Sequence, residues 1–299
     1  MSAAAARVVI FTDDPGWHGR RLVAACSTRG LAASYCSLAA CAVDLDVAPH
    51  GLDLDAGGAT LPAAAFVRGV PGGSLEAITL RLDFLHHLAA LGVPVMNSAS
   101  AIERTVDKAR TSLLLRQHGV PTPPTVVSES LARAERFVAQ ALGAGHVVVK
   151  KPMFGSQGRG LRLIKACADL GFLMPGEVAY LQHYIGPLAG PYQDTRVMVI
   201  GGRAVAAMDR ISTQWITNRA QGAQCRARPL DAELQRLACA ASAAVGADYA
   251  GVDLLRAVDG RWYVTEVNGI PAWQGLEQAC GIDIAALLVE RLHSRVSAS

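Results

Sequence analysis

Two acidic side chains and one amide in GVDLLRAVDGRWYVTEVN (residues 251–268) have the types and spacing of a cation site. Asp259-Gly260 is a strong short hairpin signal and predicts a two-residue type I′ loop. With Val258 paired to Arg261, Leu255 falls opposite Val264 and Asp253 opposite Glu266. Opposed residues of an antiparallel pair have Cβ atoms ~5 Å apart on one face. Carboxylates held that close repel, so a strand pair built only for stability would avoid them unless a cation lay between. Asn268 is two residues beyond Glu266 and shares its face. Asp, Glu and Asn oxygens are the hard ligands that Mg²⁺ prefers, with the remaining positions left to water and phosphate. The alternative, a solvated strand face bearing both acids, needs no cation.

A second candidate is VVVKKPMFGSQGRGLRLI (147–164), a strand with Lys150 and Lys151 that runs into Gly155, Gly158 and Gly160, interleaved with Ser156, Gln157 and Arg159. Glycines let backbone N–H groups close on phosphate oxygens, and a lysine on the preceding strand adds a compact positive charge. The loop is neither G-x-G-x-x-G nor G-x-x-x-x-G-K-[ST], so neither a dinucleotide fold nor a P-loop is indicated. Taken alone it fits an unliganded turn equally well. Lysine usage sharpens the question: of 28 Lys and Arg only four are lysine, at 108, 150, 151 and 165. Lys150 and Lys151, adjacent on a strand, point to opposite faces. Asp107-Lys108 alone reads as surface charge.

These groups require a scaffold. From Arg7, strand and helix alternate: VVIFTDD, a helix from about Gly19 to Arg29 closed by Gly30, a strand near 33–37, FVRGV, a helix over 75–91, then VPVMN. That alternation predicts a small parallel sheet covered on both faces. At Asn97-Ser98 a new unit opens, with a serine-capped helix carrying Asp107 and Lys108 and ending at Gly119. A Pro-rich linker, a helix over 131–142, the glycine loop, another helix and AYLQHYI follow. Long alternating strands, a helix over 231–245, the 251–268 hairpin and a final helix over 283–291 complete a β-rich half.

A net charge of +3 and the lack of a basic run argue against a nucleic-acid partner. No apolar stretch reaches the ~18 residues of a membrane helix, and the apolar run at residues 8–11 is too short for a secretory core. Seven scattered cysteines without a C-x-x-C pair suggest neither a disulfide framework nor a zinc site, so a reducing cytoplasm fits. At 51% hydrophobic the chain has ample material for a packed core.

Together these segments resemble the ATP-grasp carboxylate–amine ligases, and within them the RimK-like glutamate ligases. The resemblance spans nearly the whole chain and its parts come in the family's order: NSASAIERTVDKARTSLLLRQHGVPTPPT, VVVKKPMFGSQGRGLRL, YLQHYIGP, QDTRVMVIGGRAVAAMDR, WITN, GVDLL and TEVNGIP. It implies an α/β (α+β) ATP-grasp fold in three parts: a parallel-sheet substrate-side domain over 1–97, a central lid over 98–180, and a mixed-sheet domain over 181–299 with the magnesium site. It further implies that Lys108 and Lys151 hold the ATP phosphates under Gly155, Ser156, Gln157, Gly158 and Gly160. Gln182, His183, Tyr184 and Ile185 would border the adenine, Asp194 the ribose, Arg196 and Arg210 the phosphates, and Asn218 the triphosphate end. Asp253, Glu266 and Asn268 would bind two Mg²⁺, for which Mn²⁺ could substitute. His183 stands where the family usually has Glu. Ile216 stands where an arginine is common, which puts one phosphate or substrate contact in question.

Such a ligase phosphorylates a carboxylate with ATP and lets an amine, often that of glutamate, attack the acylphosphate. The segments WITN and PAWQG resemble the branch that adds glutamate to cofactors or precursors of the tetrahydromethanopterin, methanofuran or F420 type. Alternatives are modification of a protein or carrier C-terminus, a small-molecule kinase on this fold, and a nucleotide-binding regulator without turnover. A homo-oligomer is compatible with the sequence. Substrate-side candidates are Trp17 and His18 in the first strand-to-helix loop, Arg68 at a strand end, and Trp273 just past the magnesium ligands.

Overall fold

The computed structural model describes residues 5–46, 49–54, 60–155, 157–171, 174 and 176–296. The first part runs β1 (Arg7–Phe11), α1 (Gly16–Thr28), β2 (Ala32–Cys36), β3 (Ala42–Val43), β4 (Leu52–Asp53), β5 (Ala64–Val67), α2 (Leu75–Ala90) and β6 (Val95–Met96). Its main sheet has the order β2-β1-β5-β6 and is parallel at every pair. The near-continuous apolar strands follow from cover on both faces. Val9 and Phe11 pack with Phe84, Leu85 and Leu88 of α2, whereas Val8 and Ile10 pack with Leu22 and Cys26 of α1. Helix α1 starts at Gly16, earlier than expected, directly after Pro15 at φ −57° and ψ −41°. Proline is already set to helical φ, so Trp17 and His18 lie in the first turn of the helix rather than in a loop.

The next elements are α3 (Ala99–Val106), α4 (Lys108–Gln117), β7 (Thr125–Ser128), α5 (Leu131–Gly143), β8 (Val148–Lys151), β9 (Arg162–Ile164) and β10 (Ala179–His183). The single helix expected around Asp107-Lys108 is two, because Asp107 leaves helical geometry (φ −82°, ψ 100°) and its carboxylate accepts from the Arg110 N–H to cap α4. A short side chain that competes for backbone donors ends one helix and starts another. The four-stranded sheet β7-β10-β8-β9 is covered by Ala134, Val138 and Ala141 of α5. The helix expected after β9 is a single 3₁₀ turn, Cys167–Leu170.

The last part comprises β11 (Tyr192–Ile200), β12 (Arg203–Ser212), β13 (Gln224–Arg228), α6 (Ala232–Val245), β14 (Tyr249–Arg256), β15 (Trp262–Asn268), α7 (Gln274–Cys280) and α8 (Ile284–Val296). The sheet β13-β12-β11-β14-β15, expected as mixed, is antiparallel at every pair. Alternation sorts its faces: Val197 and Val199 pack under α6, while Met198 and Ile200 join α1 and α8 in the core shared with the first sheet. Helix α4 also packs on this part, with Leu115 in the core beside Leu237 and Val264.

The β14–β15 hairpin corrects the expected loop. Gly260 has φ 87° but Asp259 does not have a positive φ, so no type I′ turn forms. The Ala257 N–H donates to the Arg261 carbonyl (2.8 Å) and the Gly260 N–H to the Ala257 carbonyl (2.9 Å), a longer connection that pairs Leu255 with Tyr263 instead of Val264. An irregularity between Asp253 and Leu254 then absorbs one residue on β15, Thr265, and restores Asp253 opposite Glu266.

Asn97, wholly buried, joins the first and third sheets. Its amide donates to the carbonyls of Tyr249 (2.7 Å) and Gly269 (2.6 Å) and accepts from the N–H groups of Asp248 (2.6 Å) and Tyr249 (3.1 Å). The Tyr249 hydroxyl donates to the Val67 carbonyl (2.8 Å), and Asp248 pairs with Arg291 (2.9 Å) and Arg295. Leaving a buried polar group unpaired costs about 1–3 kcal/mol. Asn97→Ala is therefore expected to lower unfolding free energy by at least about 2 kcal/mol in urea titrations. A loss below about 0.5 kcal/mol would mean that other groups or water take over its bonds.

Candidate active site

The third sheet carries a line of charge on one face. Asp194 of β11 is paired in register with Arg210 of β12, Arg196 of β11 with Asp253 of β14, and Asp253 with Glu266 of β15. Arg196 donates through Nε and Nη2 to the two oxygens of Asp253, both at 2.7 Å. Arg210 donates through Nε to Asp194 at 2.7 Å, and its Nη2 also lies 2.9 Å from Asp253. Thr217 adds a hydroxyl donor to Asp194 at 2.8 Å. Two arginines thus match two carboxylates, as buried charges require. Burial pushes the Asp253 carboxyl up, but the Arg196 and Arg210 guanidiniums outweigh it and hold the group at about 2. Arg196 is therefore engaged with Asp253, and Arg210 with both Asp194 and Asp253.

Glu266 and Asn268 continue the line; the Asn268 amide donates to the Gly251 carbonyl at 3.2 Å and approaches Asp253 at 3.5 Å. Among the described residues no three His, Cys, Asp or Glu side chains converge as a metal cage. Two carboxylates and an amide could hold an ion that keeps water and phosphate as its other ligands.

A cleft opens beside this line, bordered by Lys151, Gln182, His183, Tyr184, Ile185, Asp194 and Asn218. Lys151 donates to Gln182 Oε1 at 2.7 Å, and the Gln182 amide is fixed by donation to Thr125 (3.0 Å) and Tyr180 (3.1 Å). Burial pushes the Lys151 ammonium down to about 8, opposed by Glu266, aided by Lys108 and opposed again by Asp253. Lys108 holds the start of the glycine loop through the Gly155 carbonyl at 3.0 Å and the Met153 carbonyl at 3.4 Å. Lys150 pairs instead with Glu177 at 2.7 Å. The His183 ring turns to His146 and Phe137, with centroids 4.9 and 5.3 Å away. The Tyr184 ring meets Trp215 edge-on.

Ser156 lies outside the described residues. Gln157 adopts a left-handed φ of 61°, and its carbonyl accepts from Gln221 at 3.3 Å. At Gly158 (φ 73°) a Cβ would come within 2.6 Å of both Asn218 Oδ1 and Ile216 Cγ2. Only glycine lets the loop press on the 216–218 segment this closely. Ile216 thus packs against the loop where the resemblance expects a charge.

Next to the cleft lies a cavity of about 600 Å³, lined by Arg68, Arg196, Arg210, Arg219, Glu266 and Asn268 among others. Arg68 donates to the Ile270 carbonyl at 3.4 Å and lies over the Trp273 ring at 5.3 Å. Trp273 is core, 1% exposed, and underlies the pocket. Trp17 packs on the same core and meets His18 edge-on. His18 Nε2 accepts from the N–H groups of Trp273 (3.2 Å) and Gln274 (3.4 Å), which demands the neutral imidazole. Sequence reasoning missed Arg219, Thr217 and α7; Arg219 directly follows the quoted WITN segment but carries no signal that separates it from a surface arginine.

Burial, then Arg68 and Arg219, lower the His18 imidazole from its usual 6.5 to about 4. A base whose folded pKa is depressed takes up protons more readily when unfolded, so stability falls as pH drops from 6.5 toward 4. An NMR titration should place the His18 transition near pH 4, and His18→Gln should flatten the loss of stability across that window. An ordinary transition near 6.5 would refute the neutral acceptor.

The family model of the RimK-like ATP-grasp domain matches residues 105–292. The tetrahydromethanopterin:alpha-L-glutamate ligase of Methanococcus maripaludis is 36% identical over 237 residues, covering 76% of this chain and 77% of that protein. The tetrahydromethanopterin:alpha-L-glutamate ligase of Methanosarcina acetivorans is 29% identical over 325 residues, covering 96% and 98%. Human N-acetylaspartylglutamate synthase A is 30% identical over 237 residues, covering 77% of this chain and 60% of that protein. Among solved structures, the ATP-grasp ligase PsnB complexed with minimal precursor, Mg and ADP superposes with a TM-score of 0.75 at 20% identity, covering 97% and 98% of the two chains. A RimK domain ATP-grasp protein from Sphaerobacter thermophilus gives 0.70 at 22% identity, covering 96% and 99%. At such identities the structures speak for the fold alone, and that fold is ATP-grasp. Sequence and fold agree that the chain belongs to the RimK-like ATP-grasp family of ligases.

Proposed function

We propose that this protein uses ATP to join L-glutamate to a carboxylate of a small cofactor or cofactor precursor, of the tetrahydromethanopterin type named for its relatives. One observation carries the reading: the lysine-bearing cleft and the arginine-lined cavity share Arg210, Asn218 and Glu266. Phosphate donor and acceptor can therefore meet at the Asp253–Glu266 pair. In this reading residues 1–97 supply the acceptor side, 98–180 the lid and 181–299 the metal-bearing part.

The donor set fits Mg²⁺, because Asp253 and Glu266 are opposed in register with Asn268 on the same face, and the two arginines hold the Asp253 carboxyl below the usual carboxylate range. The cleft likewise fits ATP: ammonium groups at Lys108 and Lys151 flank a loop whose Gly158 makes room for close approach. Mg²⁺ held by Asp253, Glu266 and Asn268 would neutralise phosphate oxygens during transfer; two ions, with Mn²⁺ as a substitute, match this set.

The chain's own residues do the rest by positioning and charge. Gln182 orients Lys151 toward the cleft, and Lys108 tethers the glycine loop that shields an activated carboxylate from water. Arg196 and Arg210, fixed by carboxylates, hold positive charge ready where negative charge develops. No side chain need act as nucleophile.

The test follows ADP release and product mass with a panel of pterin, furan and peptide acids, with and without glutamate. Amide product and glutamate-dependent ADP are expected. ADP at full rate without amine, with a stable phosphorylated product, would establish a kinase instead. Glu266→Gln should lower kcat at least about 100-fold with an unchanged melting curve. Full activity in that variant would remove Glu266 from the metal set.

A further inference from the structure

We infer that Arg68 and Arg219 hold the two carboxylates of the amine substrate, which makes that amine an amino dicarboxylate. The assignment rests on the ligase reading and supplies what it leaves open, the residues that select the amine.

The inference comes from unmatched charge. Of the four arginines lining the 600 Å³ cavity, Arg196 and Arg210 are matched by Asp253 and Asp194. The other two have only neutral partners. Arg68 donates to the Ile270 carbonyl (3.4 Å) and lies over Trp273, and Arg219 donates to Gln274 Oε1 (3.3 Å) and Gln278 Oε1 (3.2 Å). Among the described residues neither makes an ion pair. Burial even pushes the Arg68 guanidinium below its ordinary range. Carbonyl and amide oxygens orient a guanidinium without cancelling its charge. Arg68, shielded from solvent, calls for a counter-charge, and Arg219, exposed but oriented in the same cavity lining, offers a second fork to a ligand anion.

The two come from different parts of the chain and are set by one turn. Arg68 follows β5 of the first sheet, and Arg219 opens the 3₁₀ turn Arg219–Gln221 beside the third. Ile270 and Gln274, the acceptors that aim them, flank the 271–273 stretch that His18 braces through the Trp273 and Gln274 N–H groups. Gly275 leaves room for Arg219 to lie across α7, since a Cβ there would come 2.9 Å from Arg219 Cδ. His18 is thus a positioning residue, and its neutral imidazole adds no charge of its own.

Neither arginine borders the lysine-bearing cleft, so the phosphates have other partners. In the ligase reading the reacting carboxylate must reach Glu266 and Asn268, which line the same cavity beside Arg196 and Arg210. Carboxylates that never react stay anionic throughout and need permanent counter-charges. An amino dicarboxylate has two.

The test is calorimetric titration of L-glutamate, L-glutamine and L-alanine into the wild type, Arg219→Gln, Arg68→Gln and Arg68→Lys, each with ADP and Mg²⁺ present. Wild type should bind glutamate roughly 10- to 100-fold more tightly than glutamine, the range for a charge-assisted hydrogen bond. One glutamine variant should erase that preference; the other should weaken both ligands alike by a similar factor. Arg219 is exposed, so its variant reports even if Arg68→Gln loses its fold, and Arg68→Lys keeps the charge without the fork. Unchanged glutamate affinity in all variants, with amide still formed by the wild type, would overturn the assignment alone. A raised KM for the acid with an unaltered KM for glutamate would overturn it by placing the pair on the other substrate. A wild type that forms no amide with glutamate would defeat the ligase reading and the assignment together.

Discussion

Asp253 sets the terms for the rest of the molecule. A carboxylate 3% exposed on a central strand is tolerable only if its charge is answered on the spot, and Arg196 and Arg210 answer it from the two strands beyond. Because Arg196 is directly opposite Asp253 and Arg210 opposite Asp194, the charge pattern also fixes which strands neighbour which and in what register. A one-residue slip would turn every one of these groups into the core under α6 and bring Val197 and Val252 onto the polar face. Register and site are therefore one constraint: the sheet cannot form correctly without assembling the line of charge, and the line cannot assemble in any other register.

That line is where the cavities join. The face of the sheet opposite α6 is apolar at one end, where Met198 and Ile200 meet the first sheet through Met96, Ile10 and α8. At the other end it is charged. Asn97 and Asp248 lock the apolar end with hydrogen bonds across the joint, so the position of Arg68 relative to Glu266 is set by packing and not by a flexible linker. On the proposed function, two regions built on different sheets would then hold two reactants in a fixed relation, the main source of rate when no covalent intermediate with the protein is used.

How far the sequence reveals this depends on which forces act locally. Periodicity and glycine placement suffice for the parallel sheet, the helices over 75–90 and 232–245, and the long strands. The Asp253–Glu266 pairing was legible for a reason that is partly fortunate: the loop at Asp259-Gly260 is longer than the dipeptide suggests, and the irregularity at Thr265 compensates by one residue. Neither departure leaves a mark in composition. The break at Asp107 could have been read from its capping tendency, but the apolar pattern runs through it. Helix α7 is seven residues long, too short for a period to show. Asn97 is invisible because its worth lies in four backbone groups far away in sequence. Arg219 is one of many arginines, and only its neutral surroundings in three dimensions distinguish it.

The same contrast explains the division of labour between the two basic residue types. Arginine presents a planar fork, and Arg196 and Arg210 use it as such, each with two parallel bonds to one carboxylate. Among the described residues Lys108 and Lys151 make no ion pair; Lys108 contacts carbonyl oxygens of the glycine loop and Lys151 the amide oxygen of Gln182. An ammonium is a point charge that can leave such acceptors for a phosphate without losing a paired geometry, and Lys151, held near 8 by burial, gains more than an exposed lysine from an incoming anion. A guanidinium at 151 would be drawn to Glu266 and Asp253, the two acids already opposing its pKa shift, and would compete there with the cation of the proposed function. At 108 and 151, unlike at Lys150 with its Glu177 partner, lysine would on the proposed function supply a charge that is present but not bound to the nearest acid.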